Sequence, residues 1–357
     1  DDTSRVGEVV HDAAFLLIPL LFSTFISSRY ANRILFAFFA GMLVSAALSF
    51  GIYMELMPPM IHDGSQGDWK DPTPLYHHSH YGYMLALTAV ILLQRALSQN
   101  YSASHRVVVS VLMAAVTVNV FIIAGRSGYF IVLTLLPALL LLVYGKNALK
   151  PLLAVLVIVS VATVIAYQHS LTFKLRMDTT KESVEKVIHD NDYHSSLGGR
   201  LVITRHALTL ASDNWLLGMG TADHTGEIQR KIQQENSNLT FLSAYLAHPH
   251  TEYMNAILQF GIFGLIAFLN IPFQLMRYKN EDVDRQVMFK LLGLSILLYA
   301  LLDVMVIDLG MMFTVVVLVA SGLRSYPVSN AKFSNFNVKQ GAVYLSAMLI
   351  FYLAKQI

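Results

Sequence analysis

Long apolar runs recur along this chain, and they restrict its fold more than any other feature of the sequence. A helix needs about 20 apolar residues to cross the ~30 Å hydrocarbon core of a bilayer, because backbone polar groups in lipid must bond within the helix. Of the 357 residues, 55% are hydrophobic and 13% are charged, and the mean hydropathy is +0.53. These values exclude an ordinary set of soluble domains and predict an all-α polytopic membrane protein.

Seven runs have the length and composition of transmembrane helices, near residues 33–53, 81–97, 106–124, 128–144, 150–169, 253–275 and 287–308. An earlier run reaches spanning length at residues 9–28 if its polar ends lie at the interface. Residues 310–326 follow as a tight re-entry, and residues 341–354 either cross the membrane or lie flat on it. The sequence therefore predicts about nine to ten transmembrane helices in this chain.

These spans divide the chain into three parts. Residues 1–169 are predicted to form an N-terminal bundle of six spans, and residues 253–357 to form three or four more. Between them, residues 170–252 form one long polar segment with short helices, such as the stretch from Arg200 to Ala211, whose apolar positions recur at helical spacing.

Lysine and arginine are distributed unevenly between alternate connections, and short connections rich in them stay in the cytoplasm. One set of connections contains thirteen such residues: Arg29, Arg33, Arg95, Arg106, Lys146, Lys150, Arg277, Lys279, Arg285, Lys290, Arg324, Lys332 and Lys339. The alternate short connections contain three: Arg5, Lys70 and Arg126. The long segment 170–252 falls on the outward side of the membrane.

The same count places the first residue outside. If the intact protein begins in the cytoplasm, an odd number of further spans precedes it, and three would give twelve transmembrane helices in total. We therefore expect residues upstream of Asp1.

Several kinds of chemistry have no sequence support. The chain has no cysteine, no glycine-rich phosphate loop and a net charge of only +2, so a thiolate metal site, nucleotide binding and nucleic-acid binding are not expected. Three histidines occur at His77, His78 and His80, but they cannot all face one ion if the segment is helical. We predict no metal and no cofactor.

Arg126 joins two apolar spans on the side where cations are disfavoured, within the sequence Gly125-Arg126-Ser127-Gly128. Its planar guanidinium suits phosphate oxygens, and the glycines permit close approach of the backbone. The alternative is an arginine that reaches lipid headgroups or pairs with a structural carboxylate. Spacing alone does not decide between them.

A second arginine, Arg200, follows Gly198-Gly199 at the expected start of a helix. Free backbone N–H groups and the helix dipole favour an anion there, so Arg126 and Arg200 are candidates to bind one diphosphate. An ordinary exposed arginine in the first turn is the alternative for Arg200.

His250 directly precedes a predicted span, in the sequence His248-Pro249-His250-Thr251-Glu252. Histidine can accept a proton near neutral pH, so His250 is a candidate general base, with Glu252 orienting its ring. The alternative is a polar interfacial residue at the start of the helix. His248 lies across Pro249, and we expect it to point elsewhere, with at most a supporting role.

Asp303 falls inside the predicted span 287–308. An ionisable group inside a span is costly and is therefore a candidate functional residue. We expect it to support the site by pairing with an arginine from another helix.

Together these motifs resemble bacterial O-antigen ligases, within the larger group of O-antigen ligases and polymerases. Gly125-Arg126-Ser127-Gly128 resembles the family's short outward turn, and Gly199-Arg200 resembles the Gly-Arg early in its long outward loop. His250-Thr251-Glu252-Tyr253, with Gly261 and Gly264-Leu265 downstream, resembles the family's His-Asn-Glu-x-x-Leu stretch, with Thr251 in place of Asn. The topology matches over nearly the whole chain, and the motifs match over a short part of it.

The resemblance implies a glycosyltransferase of the bacterial inner membrane that acts at the periplasmic face. It implies transfer of O-antigen glycan from undecaprenyl diphosphate to a sugar hydroxyl of lipid A-core, with membrane lipid as a further partner and no metal or nucleotide. His250 would take the proton of the acceptor hydroxyl, and Arg126 and Arg200 would stabilise the leaving diphosphate. One direct displacement would invert the anomeric centre.

Other functions stay open at this point. An O-antigen polymerase would use the same donor with a second lipid-linked glycan as acceptor, and a related ligase would modify a protein. A transporter of lipid-linked glycans would also expose arginines and an intramembrane Asp303, but transporters more often contain inverted repeats and broken helices, which the sequence does not show.

The charge distribution makes a testable prediction of topology. Tags in the connections 95–106 and 277–290 should be accessible from the cytoplasm, and a tag near Glu227 from the periplasm, because the thirteen-to-three distribution of cations orients the spans. Membrane-impermeant labelling of tagged variants measures this. Labelling near Glu227 from the cytoplasmic side would contradict the orientation.

Overall fold

A computed structural model describes residues 28–59, 69, 71–74, 77–220, 223–235, 238–239, 248–305 and 309–324. The predicted spans at 9–28 and 341–354 lie outside these residues, except for Ser28.

The described residues form eleven α-helices, which confirms the all-α class. They are α1 (Ser28–Tyr53), α2 (His78–Leu97), α3 (Ala103–Ile122), α4 (Arg126–Tyr144), α5 (Leu149–His169), α6 (Leu171–Glu185), α7 (Ser196–Asp213), α8 (Asp223–Glu235), α9 (Glu252–Arg277), α10 (Val283–Tyr299) and α11 (Leu309–Arg324). A 3₁₀ turn at Gly145–Asn147 follows α4, and a π-helical turn at Lys186–Asp190 follows α6.

Five of these helices are long and apolar enough to cross a membrane, as expected of a multi-pass membrane protein: α1 from Arg33, α3, α4 with its 3₁₀ turn, α5 and α9. The predicted spans 81–97 and 310–326 coincide with α2 and α11, which are not among the five. Helix α2 begins with polar histidines, and α11 has only 16 residues. Their crossing, and the total of nine to ten spans, stay predictions.

The predicted span 287–308 is wrong at its C-terminal end. Helix α10 has 17 residues and ends at Tyr299, and residues 300–305 form a non-helical turn. The helix stops because the backbone of this turn bonds elsewhere. The carbonyl of Ala300 accepts the N–H of Glu252 at 2.9 Å, and the N–H of Met305 donates to the Glu252 carboxylate at 2.8 Å.

The chain divides into two compact units. Of the described residues, those within 33–182 and 278–299 form the Arg126 unit. Those within 28–32, 183–277 and 300–324 form the His250 unit. Each unit contains its own candidate site residues.

Helix α2 is the packing centre of the Arg126 unit. It is almost wholly buried and packs against α3, α4 and α10. Its Tyr83 hydroxyl bonds the Ser295 hydroxyl of α10 at 3.0 Å, and its Tyr81 hydroxyl donates to Asn119 of α3 at 3.3 Å. A buried polar group without a partner costs about 1–3 kcal/mol, so these bonds determine which helix faces meet.

In the His250 unit, α7 and α8 pack with the first part of α9 around an apolar core that includes Ile203, Leu210, Ile232 and Leu258. Gly261 breaks α9 with a φ of 64° and a ψ of −155°.

Backbone groups of α9 that lose their helical hydrogen bonds at this break bond to the segment that follows α7. The Leu258 carbonyl accepts the N–H of Met219 at 2.6 Å, and the Ile262 N–H donates to the carbonyl of Trp215 at 2.7 Å. The break in α9 therefore anchors the connection after α7.

We predict that Gly261→Ala destabilises the protein by more than about 2 kcal/mol. Its positive φ disfavours a side chain, and a Cβ there would lie 2.2 Å from the carbonyl oxygen of Leu216. Thermal unfolding in detergent measures the effect.

Gly226→Ala is the matched control, because Gly226 lies in α8 with nothing within 4 Å of its Cβ position. In a helix, alanine is favoured over glycine by up to about 1 kcal/mol, so this variant should be at least as stable as the wild type. Equal melting temperatures for the two variants would contradict the account of Gly261.

Candidate active site

His250 lies in the turn that precedes α9, with a φ of 54°. A positive φ is uncommon for a residue other than glycine, and here the backbone N–H of His250 donates to Nδ1 of His248 at 3.2 Å. The two rings are 4.3 Å apart between centroids. The expectation that His248 points elsewhere is therefore wrong, because the left-handed backbone at His250 folds the chain back towards it.

Asp303 is the carboxylate at the centre of this cluster. Its Oδ1 lies 3.4 Å from Nδ1 of His250 and 3.7 Å from Nδ1 of His248, and its Oδ2 lies 4.0 Å from Nη2 of Arg200. The backbone N–H of Val304 donates to Oδ1 at 3.0 Å. Asp303 thus lies within ion-pair distance of an arginine from another helix, Arg200, but it lies in a turn and not inside a span.

The surroundings of Asp303 determine its ionisation. Burial alone would raise its pKa, but the hydrogen bond from His250 and the charges of His248, Arg200 and His250 hold the pKa well below its usual range. An ionised carboxylate only accepts hydrogen bonds.

Because the Asp303 carboxylate is ionised, it determines which ring nitrogens of His250 and His248 carry protons. Nδ1 of His250 faces Asp303 as a donor, so a neutral His250 ring has its unprotonated nitrogen at Nε2. Nδ1 of His248 accepts the His250 N–H, so a neutral His248 has its proton at Nε2. Of the two rings, His250 is therefore the one positioned to accept a proton while bonded to Asp303.

Glu252 begins α9 and is 2% exposed. Its Oε2 accepts the backbone N–H of Met305, and its Oε1 accepts the side-chain amide of Asn255 at 3.2 Å. We expected Glu252 to orient His250, but the carboxylate hydrogen-bonded to the ring comes from Asp303, 53 residues further along the chain. Glu252 instead holds the turn that contains Asp303.

Arg200 also contacts this turn. Its Nη1 donates to the carbonyl of Leu302 at 3.2 Å, and its side chain remains 37% exposed. Helix α7 begins at Ser196, with Ser195 as its cap, so the expectation that Arg200 lies at the helix start is wrong by one turn. The anion-binding argument from free N–H groups therefore does not apply to Arg200, and its guanidinium is the relevant group.

Among the described residues, His248, His250 and Asp303 form one group whose ligand atoms lie close enough for a metal ion, within 4.8 Å of one another. The hydrogen bonds account for the same atoms without one. Nδ1 of His248 already accepts a backbone N–H, and Arg200 places a cation beside the second oxygen of Asp303. That the site works without a metal stays a prediction.

In the Arg126 unit, Asp71 holds the turn that leads into α4. Its Oδ1 accepts the backbone N–H of Ala124 at 3.1 Å and the hydroxyl of Thr73 at 2.5 Å. Its Oδ2 lies 2.9 Å from Nδ1 of His78, so this histidine has a structural role. Next in the turn, Gly125 passes so close to α2 that a Cβ there would lie 2.1 Å from the carbonyl oxygen of His78.

Arg126 is the first residue of α4. Its Nη1 donates to the hydroxyl of Thr180, in α6, at 3.0 Å. The turn fixed by Asp71 thus fixes the origin of the Arg126 side chain, and α6 contacts its guanidinium.

Asp71 gives a pH-dependent prediction. Burial would raise its pKa, but the hydrogen bond and charge of His78, with the hydrogen bonds from Thr73 and Ala124, lower it to about 2. Because the folded-state pKa is lowered, the stabilisation is present above the ordinary aspartate value near 4 and is lost as pH falls towards about 2. It amounts to roughly 2 kcal/mol.

We therefore expect Asp71→Asn to be less stable than the wild type at pH 6, with the difference shrinking as pH falls through this window. Unfolding in detergent at pH 6, 4 and 2.5 measures it. An undiminished difference at pH 2.5 would contradict the role of the ionised carboxylate.

Comparison with known proteins gives one family. Residues 108–269 match the family model described as O-antigen ligase, and no curated protein matches the chain. The matched segment includes Arg126, Arg200 and the stretch from His248 to Glu252, and it ends before the turn that contains Asp303. The resemblance indicated by the motifs is confirmed over residues 108–269.

Proposed function

We propose that the protein is a glycosyltransferase that moves O-antigen glycan from undecaprenyl diphosphate to a sugar hydroxyl of lipid A-core. The observation on which this rests is the contact of His250 with the ionised carboxylate of Asp303. It lies at the start of a candidate span, in a chain whose residues 108–269 match the O-antigen ligase family model. The predicted topology places this site at the periplasmic face of the inner membrane.

In the proposed reaction the acceptor hydroxyl oxygen attacks the anomeric carbon of the glycan. Its proton passes to Nε2 of His250, and Asp303 stabilises the imidazolium that forms. The bond between the anomeric carbon and the diphosphate oxygen breaks, and its electron pair leaves with undecaprenyl diphosphate. A single displacement of this kind inverts the configuration at the anomeric carbon.

The arginines act on the leaving group. Preorganised cations stabilise the charge that develops on a departing diphosphate, and a guanidinium can bind two phosphate oxygens at once. We assign this role to Arg126 and Arg200. That both bind one donor molecule stays a prediction based on the family resemblance.

Glu252 takes an indirect role in this proposal. Its backbone N–H donates to the carbonyl of Ala300, and its buried carboxylate accepts the N–H of Met305. These two bonds hold residues 300–305, the turn that presents Asp303 to His250. Glu252 is therefore a positioning residue, and His248 supports the backbone of His250.

Related functions use the same site chemistry. A polymerase would take a second lipid-linked glycan as acceptor, and a protein ligase would take a protein hydroxyl. A transporter would explain the broken helix α9, but the groups freed at Gly261 bond to the segment after α7, which leaves them engaged within the protein.

Reconstitution distinguishes these functions. The purified protein in liposomes, given lipid-linked O-antigen and lipid A-core, should transfer the glycan in the presence of a chelator and without ATP. Elongation of the lipid-linked glycan in place of transfer to lipid A-core would identify a polymerase. Absence of any new glycosidic bond, with movement of donor across the bilayer, would identify a transporter.

We predict that His250→Ala and His250→Gln lose about 10²- to 10⁴-fold of the transfer rate, because a positioned general base contributes that much. Asp303→Asn should also lose activity, since a neutral amide stabilises the imidazolium less well. Rates in the reconstituted assay, with donor binding measured separately, test this, and donor binding should survive in His250→Ala.

The matched control is His194→Ala. His194 belongs to the same unit and also bonds an aspartate, with Nδ1 2.8 Å from Oδ1 of Asp192, but that pair is exposed at the surface. It should retain wild-type activity. His248→Ala should fall between the two, because it removes the acceptor of the His250 N–H. Full activity of His250→Ala would show that His250 is not the general base.

We predict that Arg126→Lys fails nearly as badly as Arg126→Ala, with a loss of about 10²- to 10³-fold. An ammonium keeps the charge but lacks the planar fork that binds two phosphate oxygens. Expression should stay near normal. Wild-type turnover by Arg126→Lys would show that Arg126 only anchors the turn.

A further inference from the structure

One face of helix α6 packs against the helix that begins with Arg126. The ring of Phe173, which is 3% exposed, lies 5.3 Å from the ring of Tyr129 and 5.8 Å from that of Phe121. Seven residues further on, the hydroxyl of Thr180 accepts the hydrogen bond of Arg126. Because helical positions separated by three or four residues share a face, these contacts define which face of α6 meets α4.

Arg176 lies on this face, three residues after Phe173 and four before Thr180. The Thr180 hydroxyl that accepts from Arg126 donates to the backbone carbonyl of Arg176 at 2.6 Å. The side chain of Arg176 is partly buried, and the charges of Arg176 and Arg126 both act on the hydroxyl of Tyr129. The charges of both arginines therefore act on the same region near the start of α4.

Two positive charges that act on the same region repel each other, more strongly where water is partly excluded. Asp71 is the nearby carboxylate whose charge also acts on Tyr129, but its oxygens bond Ala124, Thr73 and His78. Within the described part of the chain, no carboxylate forms an ion pair with Arg176. Such a pair of cations suits an anion with more than one negative charge.

The position along the chain indicates which anion this is. Arg126 begins one candidate span, and α6 directly follows another, α5. Both residues lie on the predicted outward side, near the membrane surface, where the diphosphate of a lipid carrier lies.

We propose that Arg176 is a further binding residue for the lipid-linked donor, and that its guanidinium binds the diphosphate together with Arg126. This inference rests on the proposed function and adds a residue that sequence motifs did not indicate. An anionic lipid headgroup presents the same phosphate chemistry, so the experiment separates the two sources.

The first test is donor kinetics in liposomes of neutral phosphatidylcholine. Arg176→Ala and Arg176→Gln should raise the KM for donor about tenfold or more, as expected for a lost charge-assisted phosphate contact, with a smaller effect on kcat. Arg176→Gln retains much of the aliphatic stem, so it controls for packing loss in Arg176→Ala. Arg176→Lys should lie between wild type and Arg176→Gln.

Lys174→Ala is the matched control. Lys174 is also a cation of α6, two residues away, but it is exposed and places its ammonium over the ring of Tyr167, 5.9 Å from the centroid. Its substitution should leave the KM for donor unchanged. An equal effect of Lys174→Ala would show that the loss of any positive charge on α6 weakens donor binding, and this would overturn the proposal.

Inorganic pyrophosphate provides a test without transfer activity. It should raise the melting temperature of the wild type and of Lys174→Ala, and both Arg176→Gln and Arg126→Ala should require about tenfold more pyrophosphate for the same shift. The same response in Arg176→Gln as in the wild type would overturn the proposal.

The remaining outcomes are distinct. An Arg176 defect seen only in liposomes that contain phosphatidylglycerol would assign Arg176 to a lipid headgroup and overturn the proposal. If Arg176→Gln has normal kinetics and Arg126→Lys is defective, Arg176 does not bind the diphosphate, and the role proposed for Arg126 is unaffected. If both variants have normal kinetics, neither arginine binds the diphosphate, and the role proposed for Arg126 is also wrong.

Discussion

Three carboxylates accept backbone N–H groups where helices are interrupted, and the candidate site depends on them. Asp71 accepts the N–H of Ala124, Glu252 accepts that of Met305, and Asp303 accepts that of Val304. A backbone amide left without a partner costs about 1–3 kcal/mol, and more in lipid. Beside a membrane, non-helical turns therefore need internal acceptors, and these carboxylates supply them.

The same carboxylates determine the charge around each turn. Because Asp71 and Asp303 each accept several hydrogen bonds next to histidine or arginine, their pKa values lie below the usual range despite burial. An ionised Asp303 determines which nitrogen of His250 carries the proton. The backbone arrangement and the chemistry of the proposed base thus have a common cause.

Glu252 contributes to the site through the backbone and without taking part in the chemistry proposed for the His250 ring. It forms no part of the proposed proton transfer, yet its hydrogen bonds to Ala300 and Met305 set the position of the turn that presents Asp303. A motif that places Glu252 two residues after His250 is therefore explained by tertiary structure. The glutamate fixes a distant segment against the start of α9, and that segment supplies the partner of the histidine.

Sequence patterns located most helices and the motif residues, because apolar runs and unusual polar residues are local features. They did not locate the end of α10, since that end depends on Glu252, which lies 53 residues before Met305 in the chain. They misplaced His248 because the φ of 54° at His250 has no signal in a residue other than glycine. They did not indicate the position of Arg176, because that position depends on which face of α6 meets α4.

The two arginines named by the motifs have different surroundings within their units. The turn before Arg126 is fixed by Asp71 and by the close passage of Gly125, so the Arg126 side chain begins from a rigid position. Arg200 instead donates to Leu302 and lies 4.0 Å from Asp303, the same carboxylate that contacts His250. Its positive charge helps keep Asp303 ionised.

This difference bears on the proposed displacement, in which the base and the leaving group act in the same step. A cation that only binds diphosphate affects the leaving group alone. A cation that also keeps Asp303 ionised affects the proton acceptor as well, because the ionised carboxylate selects the His250 tautomer and stabilises the imidazolium. In the proposed reaction, Arg200 therefore acts on both the base and the leaving group, through its effect on Asp303, whereas the role proposed for Arg126 concerns the diphosphate alone.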